Sequence, residues 1–191
     1  SGTTLPAVTT SITTEANSGD ITSDPNTLTT GFSGNPRVIL DGGNSGGAVG
    51  LTLQSDHNRI RGLIIDGFNT GIVIRAAAAG STAIGNLIQG NEIGQYLAYP
   101  NPTYHAAHPV VEGIGNGIGV EVASPAAGSS VTNNTIGGIS PDTHNAIAGN
   151  TAQGIILDDG ANGNQVAGNL IGVLQHDETN YSQVGNGADG I

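Results

Sequence analysis

A Gly-Ile step recurs along this chain, at Gly71-Ile72, Gly117-Ile118, Gly154-Ile155 and Gly190-Ile191, and each copy opens a short apolar alternation. A second mark follows the first three copies: Gly-Asn-Glu-Ile-Gly from Gly90 to Gly94, Asn-Asn-Thr-Ile-Gly from Asn133 to Gly137, and Gly-Asn-Leu-Ile-Gly from Gly168 to Gly172. Two marks in a constant order predict one structural unit used several times. The steps lie roughly 46, 37 and 36 residues apart, while Leu51 opens a similar alternation only about 21 residues before Ile72, and spacings of that size belong to solenoids. The short unit is then a bare coil, and the longer ones are coils with an insertion after the Ile-Gly of the second mark.

Inside a coil the apolar residues alternate, as in Ile72/Ile74, Ile118/Val120/Val122 and Ile155/Leu157. That is strand period over runs far too short for helices, and Gly and Asn break every run. The expected fold is all-β: a parallel β-helix, with loop insertions at one corner. Ile72, Ile118 and Ile155 are expected to stack in one interior file.

Composition narrows the function. The 191 residues include 32 Gly, and about twenty Ile at regular spacing argue for one elongated domain against disorder. Fifteen carboxylates against four Arg and no Lys give a net charge of −11, which repels phosphate backbones and anionic lipid. Nucleic acid and membrane insertion are therefore excluded as expectations, and no apolar run is long enough to span a bilayer. Without Cys there are neither disulfides nor thiolate metal sites.

Residues 1–36 read as an irregular, Thr-rich lead-in to the same domain, with an opening strand near Leu5, Val8 and Ile12 and turns at Asp24-Pro25-Asn26 and Gly34-Asn35-Pro36. Residues 37–191 read as the coils. Val38 to Asp41 is expected to be a buried strand, with further strands at Val49 to Leu53 and Asn58 to Ile65. Arg59 and Arg61 flank Ile60 as outward charges on one of these strands; a substrate clamp is the alternative.

Leu5-Pro6-Ala7-Val8, Val38-Ile39-Leu40-Asp41-Gly42, Arg61-Gly62-Leu63-Ile64-Ile65, the Gly-Asn-x-Ile-Gly marks and His144-Asn145-Ala146-Ile147-Ala148-Gly149-Asn150 together resemble the right-handed parallel β-helix repeat proteins of the pectate-lyase-like superfold. More narrowly, they are similar to tandem β-helix regions of large secreted or surface-displayed bacterial proteins, which implies a right-handed helix and a secreted or cell-surface location. The resemblance covers nearly the whole chain. It specifies a fold more than a function, since the superfold carries lyases, hydrolases, epimerases, adhesins and inert stalks.

Chemistry is expected in the insertions, read as 95–116, 138–153 and 173–186. They hold all four tyrosines and four of the five histidines. Leaving one corner of successive coils, they would stack Tyr96, Tyr99, Tyr104, His105, His108, His144, His176 and Tyr181 into a lateral wall that meets glycans or proteins. The competing reading is that Tyr goes to loops because it does not fit a narrow interior. His105-x-x-His108 with Glu112, and His176-Asp177-Glu178, have ligand-like intervals but no helix to present them as a metal motif. His176, Asp177 and Glu178 with Asp189 are the candidate metal set, and the stretch from Val184 to Ile191, which resembles a single calcium nonapeptide, is the suggestion of calcium; no cofactor is expected. Asp158 and Asp159 are the alternative catalytic pair, resembling the acids of β-helix polysaccharide hydrolases, against a default Asp-Asp-Gly turn. Gly-His-Gly and Arg-Ile-Lys motifs that would accompany them are absent.

Asn91, Asn134 and Asn169 are expected at equivalent bends, bonded from coil to coil as one ladder. Asn133 and Asn180 begin acceptor sequons for glycosylation. The strand-like start and the coil begun at Gly190-Ile191 predict head-to-tail stacking of copies, or flanking coils in a longer chain. The functional expectation is a non-catalytic stalk, surface filament or adhesive segment; the alternative is a carbohydrate-active enzyme domain, a polysaccharide lyase, hydrolase or epimerase.

Overall fold

A computed structural model describes residues 7–8, 13–15, 38–43, 47–98, 110–123, 126–158, 160–175 and 181–191. Most of the lead-in segment, with its turns, lies outside them. The described chain is all-β, with one short 3-10 turn at Pro141–Thr143 and no α-helix.

Three five-stranded parallel sheets are built by passing each sheet in turn. The first sheet joins β1 (Ala7–Val8), β4 (Val49–Leu53), β7 (Thr70–Ile74), β12 (Ile118–Val122) and β15 (Ile155–Leu157). The second joins β2 (Thr13–Glu15), β5 (Arg59–Arg61), β8 (Leu87–Gln89), β13 (Thr135–Gly137) and β16 (Gln165–Ala167). The third joins β3 (Val38–Asp41), β6 (Leu63–Asp66), β9 (Glu92–Gly94), β14 (Ala146–Ala148) and β17 (Leu170–Ile171). One strand from each sheet makes a tier, and five tiers succeed one another in chain order. Antiparallel hairpins β10–β11 (Tyr96–Ala98, Val110–Glu112) and β18–β19 (Val173–Gln175, Tyr181–Gln183) follow the third-sheet strands of the third and fifth tiers.

Strand period decides which side chains are buried together. Leu53, Ile60, Ile65, Ile72, Ile74, Ile88, Ile93, Val120, Val122, Ile136, Ile147 and Ile155 form one core cluster through all three sheets. The interior file expected through Ile118 is corrected by the register: Ile72 pairs with Val120 and Val120 with Ile155, whereas Ile118 pairs with Thr70 and is only half-buried. A Cβ on Gly71 would stand 2.7 Å from the Gly119 carbonyl, and one on Gly119 would stand 2.5 Å from that of Gly154. Backbones approach closely along this file, so glycine precedes each stacked residue; Gly117 is equally close to the Asn69 carbonyl, and it is the ladder register, with Ile118 opposite Thr70, that seats Val120 in the file.

The bends are held by three asparagine files where one was expected. Asn58, Asn86, Asn134 and Asn164 form the first, between the first and second sheets. Asn91, Asn145 and Asn169 form the second. Asn116, Asn150 and Asn186 form the third. Asn134 thus belongs to a different bend from Asn91 and Asn169, because its Asn-Asn-Thr-Ile-Gly mark leads into the second sheet and theirs into the third. Each link repeats: a side-chain carbonyl accepts the backbone N–H and the amide of the Asn before it, as Asn145 Oδ1 accepts both from Asn91 at 3.0 Å. Bends leave backbone groups outside the sheet ladders, and the carboxamide satisfies a donor and an acceptor at once. Leu63 and Phe68 stand at the heads of the second and third files, giving only a backbone N–H to Asn91 and Asn116, and both side chains join the core.

Two further expectations change. Val38 to Asp41 is a strand but not a buried one: β3 is the outermost strand of its sheet, and Val38 and Ile39 are 37% and 45% exposed. The three insertions do not share a corner. Both hairpins leave the bend after the third sheet, but the segment expected to span 138–153 resolves into a 3-10 loop after the second sheet, the regular strand β14 and a tight turn. Ala146–Ala148 alternates like any strand, and the spacing of Gly-Ile steps hid it.

Candidate functional site

Among the described residues, a cleft of about 550 Å³ lies on the outer face of the third sheet, lined by Ile39, Asp41, Gly43, Asp66, Tyr96, Gly113 and Ile114. Strand alternation puts Leu40 and Ile65 into the core, which leaves Ile39, Asp41, Ile64 and Asp66 on the opposite face. Ile39 pairs with Ile64 and Asp41 with Asp66, so the two carboxylates stand side by side on neighbouring strands.

Hairpin β10–β11 supplies the rest. Asp66 accepts the backbone N–H groups of Gly115 at 2.7 Å and Ile114 at 3.3 Å, anchoring the return of the hairpin. Gly113 has φ +87°, and a Cβ there would press on the Asp66 carboxylate at 2.8 Å, so this approach requires glycine. Asp41 accepts the Gly43 N–H at 2.7 Å and remains exposed.

The electrostatics are one-sided. Burial holds the Asp66 carboxyl above its ordinary range against the lowering effect of its backbone donors, and Asp41 adds to the rise. Burial also raises the Tyr96 phenol, followed by the charges of Glu112, Asp66, Asp41 and Glu92. Glu112 is the residue opposite Tyr96 in the hairpin register.

The expected wall is divided by the structure. Tyr96 and Tyr181 both stand on hairpins at the third corner, Tyr96 half-buried in the cleft and Tyr181 exposed. His144 is buried at the preceding corner, where it ends the 3-10 turn; a Cβ on Gly168 would meet its ring at 2.7 Å. Tyr99, Tyr104, His105, His108 and His176 lie outside the described residues.

Of the alternative acids, Asp158 is half-buried in a turn closed by the Ala161 N–H to its carbonyl, and Asp159 lies outside the described residues. Glu121, beside Asp158, has its carboxyl raised by burial and by Asp158, with Arg75 opposing. Asp189 is exposed and its backbone carbonyl accepts the Gly154 N–H, while Asp177 and Glu178 lie outside the described residues. Among the described residues no three His, Asp or Glu gather as a metal-binding group. Asn133 is exposed at φ +57°, and Asn180 lies outside the described residues. Arg61 is committed to Asp142, 2.9 Å away.

Asp41, Asp66 and Ile114 are the site residues that the sequence reading missed. Their signal was present: Val38-Ile39-Leu40-Asp41-Gly42 and Leu63-Ile64-Ile65-Asp66-Gly67 are two copies of one apolar strand ending in Asp-Gly. No family model matches the chain, and no curated protein or solved structure matches it.

Proposed function

We propose that the chain is a right-handed parallel β-helix that serves as a non-catalytic structural or adhesive segment of a secreted or surface-displayed protein. The observation that carries this reading is axial continuity: the three asparagine files and the Gly71–Gly119–Gly154 contacts run from tier to tier. Such an interior devotes its hydrogen bonding to stacking, and each tier leans on its neighbours as repeat architectures require. The hairpins then act as side arms on a stiff axis, with Tyr96 and Tyr181 placed to meet a partner. A net charge of −11 keeps the axis soluble and away from anionic surfaces.

A second reading, a carbohydrate-active enzyme, is favoured by one observation: Asp41 and Asp66 are paired in register on the floor of an open cleft. Two neighbouring carboxyl groups are what glycoside hydrolysis uses as acid and base or nucleophile. Incubation with acidic and neutral polysaccharides separates the two. The structural reading expects no new reducing ends and no unsaturated product. Turnover that disappears in Asp41→Asn would replace it with the enzyme, and turnover lost only in Asp158→Asn would move the site to the Asp-Asp-Gly turn.

A further inference from the structure

The two hairpins leave the same corner and meet opposite kinds of surface. β18–β19 lays Leu174, 1% exposed, against Ala146 and Ala148 on the outer face of the third sheet, and the contact is closed. β10–β11 instead faces Asp66 and Asp41, which occupy the outer file that Ala148 occupies two tiers later. Carboxylates cannot be packed dry against apolar side chains without partners. Here the hairpin's return meets Asp66 through the backbone N–H groups of Ile114 and Gly115, and the cleft stays open beside that contact.

Exposed apolar residues gather at that cleft. Of the eight large hydrophobic residues exposed among the described ones, Ile39 of β3 and Ile114 of the hairpin's return line it, while Val38 shares the core side of β3 with Leu40. Scattered singly they would need no explanation, but grouped beside a cleft they mark a contact surface. The site is therefore apolar at its walls, acidic at its floor and aromatic at one side, and no basic side chain lines it among the described residues.

We propose that this cleft docks a lysine or arginine side chain carried on an apolar stretch of a partner peptide. The aliphatic stem lies along Ile39 and Ile114, the cationic head reaches Asp41 and Asp66, and the Tyr96 ring offers a π-face. The complementarity is selective. A uronate would be repelled by the same carboxylates, and a neutral sugar would bring no countercharge to them. The raised phenol of Tyr96 fits this view, since the surrounding carboxylates reinforce burial in disfavouring a further negative charge. The proposal rests on the reading of the chain as a non-catalytic, partner-binding segment.

The test is titration of the whole chain by calorimetry with a blocked Leu-Lys-Leu peptide and with its isostere carrying norleucine for lysine. Saturable binding of the lysine peptide is expected, weakened about tenfold by the norleucine exchange and by the double substitution Asp41→Asn, Glu112→Gln. Asn at 41 retains an acceptor for the Gly43 N–H, and Glu112 is exposed, so both changes leave the fold in place. Equal binding of the norleucine peptide, binding indifferent to the double substitution, or no binding of the lysine peptide at millimolar concentration overturns the proposal. So does a neutral oligosaccharide that binds and displaces the peptide. Polysaccharide turnover, assayed on the same preparation, would overturn the underlying reading instead.

Discussion

Arg61 and Asp142 meet across an intervening tier: the guanidinium of β5 in the second tier lies 2.9 Å from a carboxylate in the 3-10 turn of the fourth. Gly90 lies between them, and a Cβ there would come within 3.5 Å of the Arg61 side chain and 3.1 Å of the Asp142 carbonyl. Asp142 is nearly half exposed, so the pair is screened, and Asp142→Asn should lower stability by no more than about 1 kcal/mol. Urea denaturation at low and high salt checks this. The deficit should shrink as salt rises.

Ile155→Ala should cost about 2 to 4 kcal/mol, the sum of lost transfer and an unfilled cavity at a position with no exposure. Ile118→Ala, outside that file and half-buried, should cost clearly less. Chemical denaturation of the two variants side by side decides it. Equal losses would contradict the register.

Asn145→Ala removes the middle of the second file. It leaves the Asn91 N–H without its side-chain acceptor, takes one of three acceptors from the Asn91 amide, and removes the amide donor to the Ile88 and Asn169 oxygens, all in or beside the buried bend. A loss of about 2 to 4 kcal/mol is expected. Asn162→Ala, which loses one exposed 3.3 Å bond, should stay within about 0.5 kcal/mol. Thermal unfolding of both variants reads the contrast.

The Asp66 carboxyl titrates above 3.8 in the folded chain, so the folded state keeps this proton to higher pH than the unfolded state does. Between those two values the folded state binds more protons, and this group's contribution to stability falls as pH rises through the window. Glu121 shifts in the same direction. Asp66→Asn should therefore flatten the decline of the urea midpoint from acid toward neutral pH, leaving the part due to Glu121. A variant with the wild-type slope would remove Asp66 from that account.

The all-β class and the strand period could be read from residues alone, because alternation at Ile72/Ile74 or Ile155/Leu157 reports a local geometry that neighbouring chain does not alter. The same holds for Arg59 and Arg61, whose outward setting about Ile60 follows from the pleat. Register is another matter, since Gly117-Ile118 and Gly119-Val120 are equally good local patterns, both with close backbone neighbours, and only the pairing of Val120 with Ile72 and Ile155 chooses between them. Asn134 and Asn169 likewise carry similar neighbours, and their assignment to different bends depends on which sheet the following strand joins. The cleft was hidden most deeply. Asp41 and Asp66 are 25 positions apart, and what makes them a site is parallel pairing together with a hairpin that returns Gly113 to Gly115 onto Asp66. Sequence by itself determined the strand class, the glycine and asparagine chemistry of the bends and the acidic charge, all of which are local or additive. The tertiary structure decided which asparagines stack, which insertions share a corner and which carboxylates face Tyr96, because each depends on contacts between residues distant in the chain.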